Sequence, residues 1–167
     1  RKLDHLTSFQ QGDALNMNFP SGSFDIVWGQ DAWCHITDKE KLIEEIGNVL
    51  KSGGLVAFTD WVETGPLTGK PREDMLAAMA APNIATLNDY KSYLENNGCK
   101  VVHQENVSDV FAAQYKTIMS RLMEMKETLS EQFSPRIFEI VVERNNYILE
   151  AFQSGALGGG RVVAQKQ

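Results

Sequence analysis

Cysteine is scarce in this chain of 167 residues: Cys34 and Cys99 are its two, 65 positions apart. Two such thiols cannot staple a domain of this size, and they form no paired ligand spacing, so a disulfide-built scaffold is excluded. Positive charge is also short, with 16 Lys and Arg against 22 Asp and Glu and a net charge of -6. A binder of phosphate backbones needs a basic face to release counterions, so no nucleic acid partner is expected. No stretch approaches the roughly 18 apolar residues that span a bilayer, so no membrane partner is expected either. Five prolines and 13 glycines in a 43% hydrophobic chain exclude collagen-like and disordered classes. His5 and His103 belong to no cluster, no set of His, Cys and carboxylates has metal-ligand spacing, and no metal is expected. The chain opens on Arg1-Lys2-Leu3-Asp4, with no apolar signal segment, which makes a cytoplasmic location the expectation.

What is present alternates between short apolar runs and amphipathic stretches. Phe24 to Trp28 is β-branched and aromatic, a strand pattern. Thr37-Asp38-Lys39-Glu40 has the spacing of a capping box headed by Thr37. Leu42, Ile43, Ile46, Val49 and Leu50 then fall on one helical stripe, and Gly53 or Gly54 supplies the stop. Leu55 to Thr59 is mostly apolar rather than alternating, as expected of a strand covered on both faces. Gly65, Pro66, Gly69, Pro71 and Pro82 punctuate a segment with room for one short helix near Glu73 to Ala81, either a lid or an inert connection. A helix resumes at Thr86 and ends at Gly98, and Lys100 to Asn106 is a further strand.

Beyond it Phe111, Tyr115, Ile118, Leu122, Met125 and Leu129 repeat at steps of four and three, predicting one long helix with one apolar seam. Ser134-Pro135 caps another helix, and a closing strand follows Gly158-Gly159-Gly160. The class is α/β, with a parallel or mostly parallel sheet. Ligands of such sheets gather beyond the carboxyl ends of the strands. That directs attention to Gly12-Asp13-Ala14, Gly29-Gln30-Asp31 and Asp60-Trp61.

Those blocks carry a resemblance. Gly12-Asp13-Ala14-Leu15, Asn18-Phe19-Pro20, Ser23 to Val27, His35, Leu50 to Gly54 and Phe58-Thr59-Asp60 resemble class I S-adenosylmethionine-dependent methyltransferases in order and spacing. Gln30 to His35 is similar to the sarcosine/dimethylglycine and phosphoethanolamine N-methyltransferases. The resemblance implies a partial Rossmann-like sheet, strands three to seven, with Leu6 to Gln11 as the third strand. It divides the chain into a core portion over 1–106 with a lid over 62–85, a helical insertion over 107–157, and a closing strand over 158–167. The family's glycine-rich cofactor turn follows its first strand; Gly158 to Gly160 precede the last one, so they are not that turn. Without the first two strands, Leu6 to Gln11 has no neighbour to pair with, and the 167 residues alone are expected to bind the cofactor poorly.

The resemblance also implies residue roles. Asp13, with the amide of Ala14 or Leu15, would read the adenine of S-adenosyl-L-methionine, though an Asp here also stabilises turns. Gln30 would orient the cofactor's methionine end or merely satisfy strand-end amides. Asp31 and His35 are four apart, so one helical turn would place them on a common face. Asp31 would hold a small-molecule amine substrate and His35 would accept its proton. Trp33 and Trp61 would offer π faces to a methylated ammonium, or would pack the core. A nicotinamide-dependent dehydrogenase and a non-catalytic module using the seam helices are the alternatives; exposed seam faces would favour the module.

Overall fold

A computed structural model describes residues 5–167. Its elements run β1 (Phe24–Gln30), a 3-10 turn (Trp33–His35), α1 (Lys39–Val49), β2 (Leu50–Glu63), α2 (Gly69–Met79), α3 (Leu87–Asn96), β3 (Cys99–Asn106), α4 (Ser108–Glu124), α5 (Lys126–Gln132), α6 (Pro135–Gln153) and β4 (Leu157–Lys166). The four strands form one mixed sheet in the order β1-β2-β4-β3, with β1 and β2 parallel and β4 antiparallel to both its neighbours. The α/β class and the Rossmann-like layout stand.

Leu6 to Gln11 is not a strand. None of its residues is in a strand, and Leu6 and Phe9 are 71% and 96% exposed. A strand needs a neighbouring strand to form a ladder.

Register sorts the side chains onto two faces, since partners across a ladder point the same way and neighbours along a strand point oppositely. Val56, Phe58, Asp60 and Val62 of β2 share one face with Val162 and Ala164 of β4, all buried. The apolar ones form one cluster with Leu42, Ile43 and Ile46 of α1, Tyr90 and Leu94 of α3, and Trp33. On the other face, α4 and α6 cover only the end at Trp61. Ile26 and Trp28 of the edge strand β1 remain 61% and 72% exposed there. The glycine run of β4 is what lets helices approach from both sides. A Cβ on Gly159 would collide with the Phe111 ring of α4, and one on Gly160 with Leu87 of α3.

Three helix expectations change. α1 ends at Val49, so Leu50, Gly53 and Gly54 belong to β2 rather than to the helix and its stop. Asp38, not Thr37, is the N-cap of α1: it is the extended residue, and its carboxylate accepts the Lys41 amide at 2.9 Å. The long seam helix is interrupted at Met125, whose backbone leaves the helical region (φ -89, ψ 10). Phe111 and Tyr115 are buried, but Ile118 and Met125 are about half exposed, so the seam meets the sheet only along its first turns.

Candidate functional site

The site is built on the turn that follows β1. Asp31 has φ 52, a left-handed conformation that Asp tolerates better than most side chains. Its amide donates to the Thr59 carbonyl at 2.8 Å, and its Oδ1 accepts the Thr59 hydroxyl at 2.6 Å. Asp31 lies before the 3-10 turn with a left-handed backbone, so it and His35 are not on one helical turn. The exposed His35 ring meets the chain just after α2, with Nδ1 3.2 Å from the Ala80 carbonyl oxygen. A carbonyl can only accept, so in a neutral ring this contact places the proton on Nδ1 and leaves Nε2 as the acceptor.

The far side of the turn is held from within the core. Asp60 is completely buried; its carboxylate accepts the Cys34 amide at 3.1 Å and the Tyr90 hydroxyl at 2.5 Å. Burial raises the Asp60 carboxyl above the usual carboxylate range, opposed by these two hydrogen bonds, the Trp61 amide and the charge of Lys39. Burial first, then the Asp60 charge, pushes the Cys34 thiol up to about 12, which leaves it protonated and inert. Lys39 is buried as well. Its ammonium donates to the carbonyls of Ile36 (2.9 Å) and Asn83 (3.1 Å) and to the Asn83 side chain, while Asn83 Nδ2 donates to the Thr37 carbonyl. Burial lowers the Lys39 pKa from its ordinary value. These ties join the turn to the chain between α2 and α3.

The two tryptophans part company. Trp33 lies in the core, its ring centroid 4.0 Å from that of Phe58 and its indole against Gly29, on the face shared with α1 and α3. Trp61 is half-buried on the opposite face, the face of Thr59, with centroids 5.6 Å from Phe111, 5.9 Å from Tyr115 and 5.6 Å from Phe152. Thr59 and Trp61 are two residues apart on one strand face, about 7 Å. The structure thus brings the Asp31 carboxylate and an aromatic cluster together at the carboxyl end of β1 and β2. The sequence reading took Phe111 and Tyr115 only as the start of the apolar seam, not as neighbours of Trp61; Phe152 comes from α6. Gln30 is exposed at the last position of β1, in register with Thr59.

Asp13 stands on a separate exposed turn. Its Oδ1 accepts the Leu15 amide at 2.9 Å, and its carbonyl accepts the Asn16 amide at 3.1 Å. Ala14, Leu15 and Met17 pack against the cluster that holds Trp33, and the Met17 amide donates to Glu45 of α1 at 2.9 Å. The turn lines a concavity of about 350 Å³ made by residues between Gln10 and Phe19, and no residue of Gln30 to His35 lines it. With the Leu15 amide used inside the turn, the Ala14 amide is the one to consider for a ligand. Among the described residues no helix is long and apolar enough to cross a membrane.

A family model described as a methyltransferase domain matches residues 1–58. The sarcosine/dimethylglycine N-methyltransferase of Aphanothece halophytica is 25% identical over 149 residues, which are 89% of this chain and 54% of the relative. Among solved structures, a candidate sarcosine dimethylglycine methyltransferase of Galdieria sulphuraria superposes with a TM-score of 0.83 at 24% identity, over 93% of this chain and 58% of that one. The phosphoethanolamine N-methyltransferase 2 of Haemonchus contortus, solved with S-adenosyl-L-methionine, gives 0.82 at 23% identity over 92% of this chain and 36% of that one. Residues 1–58 thus match a methyltransferase-domain model, and the solved structures share the Rossmann-like fold of the described chain. The chain spans about half the length of the first of these relatives.

Proposed function

We propose that the whole protein methylates the nitrogen of a small amine, of the sarcosine or dimethylglycine class, with S-adenosyl-L-methionine as donor. The observation that carries this reading is the Asp31 carboxylate, held by Thr59, on the same strand-end face as the half-buried Trp61 cluster. A carboxylate attracts an ammonium, and ring faces attract a methylated one by about 0.5–2 kcal/mol. His35 Nε2, freed as an acceptor by the Ala80 contact, is suited to take the proton from the amine. Trp33 has no place in this site, because its indole is packed inside the core.

The residues fit the donor in part. Asp13 presents a carboxylate on an exposed turn at the rim of a concavity, where with the Ala14 amide it would read an adenine edge; Gln30 would face the methionine end. Bound there, S-adenosyl-L-methionine would supply a methyl carbon activated by a sulfonium. The work of this chain is to hold the amine lone pair in line and to remove its proton.

A phosphate-bearing acceptor such as phosphoethanolamine would need free cations near the site. Lys70, Arg72 and Lys91, the basic side chains of the lid region and α3, are paired with Asp74 (2.7 Å), Glu63 (3.3 Å) and Glu95 (3.9 Å). These pairs favour an acceptor without phosphate. Rates of the whole protein with sarcosine, dimethylglycine and phosphoethanolamine test the choice. We expect the first two to be methylated, and His35→Ala and Asp31→Ala each to slow them at least about tenfold. Near-unchanged rates in both variants would remove these residues from the mechanism.

A further inference from the structure

Two consecutive side chains of β2 grip the turn after β1 from opposite faces of the sheet. On the covered face Asp60 takes the Cys34 amide. On the other, Thr59 holds Asp31 twice, by its carbonyl on the amide and by its hydroxyl on Oδ1. The left-handed backbone of Asp31 is what folds its carboxylate back over Thr59. A hydroxyl fixes one carboxylate oxygen without cancelling the negative charge. A Lys or Arg in its place would neutralise that charge and repel a cationic ligand.

We propose that Thr59 is a positioning residue: its hydroxyl occupies Oδ1 of Asp31 and so reserves Oδ2 for the cationic nitrogen of the acceptor, beside the Trp61 cluster. This rests on the reading of Asp31 as the acceptor's carboxylate. Thr59 itself touches neither acceptor nor donor. Its role differs from that of Asp60, which fixes the backbone of the turn but not the direction of the Asp31 side chain.

Thr59→Val keeps the shape of the side chain and removes the hydroxyl; Thr59→Ser keeps the hydroxyl. In the whole protein we expect Thr59→Val to raise KM for dimethylglycine about tenfold, the worth of a hydrogen bond to a charged group, with KM for S-adenosyl-L-methionine within about twofold. Thr59→Ser should restore acceptor KM to within about threefold of wild type. In an Asp31→Ala background, Thr59→Val should add little. An unchanged acceptor KM, an equal rise in both KM values, or a full tenfold loss persisting in Asp31→Ala would overturn the proposal. Thermal melting of wild type, Thr59→Val, Asp31→Ala and the double variant reads the contact without activity. Losses of Tm that are less than additive in the double variant support positioning of Asp31 by Thr59, and additive losses overturn it. A protein that methylates no amine while its melting losses are non-additive would defeat the functional reading and leave the Thr59–Asp31 arrangement supported.

Discussion

The two faces of the sheet are built on different terms. One is closed: Val56, Phe58 and Val62 meet α1 and α3, and Asp60, set among them, has both its oxygens engaged. The other is covered by α4 and α6 at Trp61 and left open at Ile26 and Trp28 of β1. The closed face bears stability, and the boundary between covered and open on the second face is where a ligand can reach a fixed carboxylate. Asp31 stands near that boundary, held by Thr59, while Asp60, the next residue of the strand, takes the Cys34 amide of the same turn from the closed face.

The sharpest way to break this contrast is to remove a tryptophan from each face. Trp33→Ala empties a buried, ring-stacked position and should cost about 3–5 kcal/mol in urea unfolding. Trp28→Ser, at a position 72% exposed, should change the same measurement by no more than about 0.5 kcal/mol. Similar costs at the two sites would mean that the open face is closed in solution. Gly159→Ala comes between them. Its methyl would collide with Phe111, so overpacking should cost about 1–3 kcal/mol and disturb the Trp61 cluster, which Trp fluorescence would report.

A smaller effect is set by pH. Because burial raises the Asp60 carboxyl, the folded state holds that proton more tightly than the unfolded chain does. Its contribution to stability is greatest below the ordinary carboxylate pKa and falls as pH rises through the raised value. Asp60→Asn should flatten this decline in a plot of Tm against pH. An identical slope in wild type and variant would show that Asp60 does not titrate across folding.

Much of the fold was legible because strand and helix periods were clean. β1, α1, α3 and β3 lie within a residue or two of where the spacing puts them. The misses have local causes. Thr37 and Asp38 are both able caps, and only the backbone decides between them. The periodicity of Phe111 to Leu129 runs through Met125 without a breaker, so nothing in the pattern marks the interruption. The family resemblance alone put a strand at Leu6 to Gln11, and a strand exists only in a ladder.

Of the site, the sequence shows the residue types at the strand ends but not their partners. The contacts of His35 with Ala80, Lys39 with Asn83 and Tyr90 with Asp60 span 30 to 45 positions, and no local spacing encodes them. Asp60 was readable in principle, since it shares the parity of Val56, Phe58 and Val62 and must therefore be buried. Trp33 and Trp61 look equivalent as letters. Their opposite fates follow from the turn at Asp31 and the register of β2.

The account stands on two separate segments serving one ligand pair. Coordinates of the whole protein with S-adenosylhomocysteine and dimethylglycine test it most directly. We expect the adenine amino group within about 3.2 Å of the Asp13 carboxylate. The amine nitrogen should lie at hydrogen-bond distance from Asp31 Oδ2, next to Trp61. A nucleoside bound away from Asp13, or an amine bound away from Asp31, would contradict it.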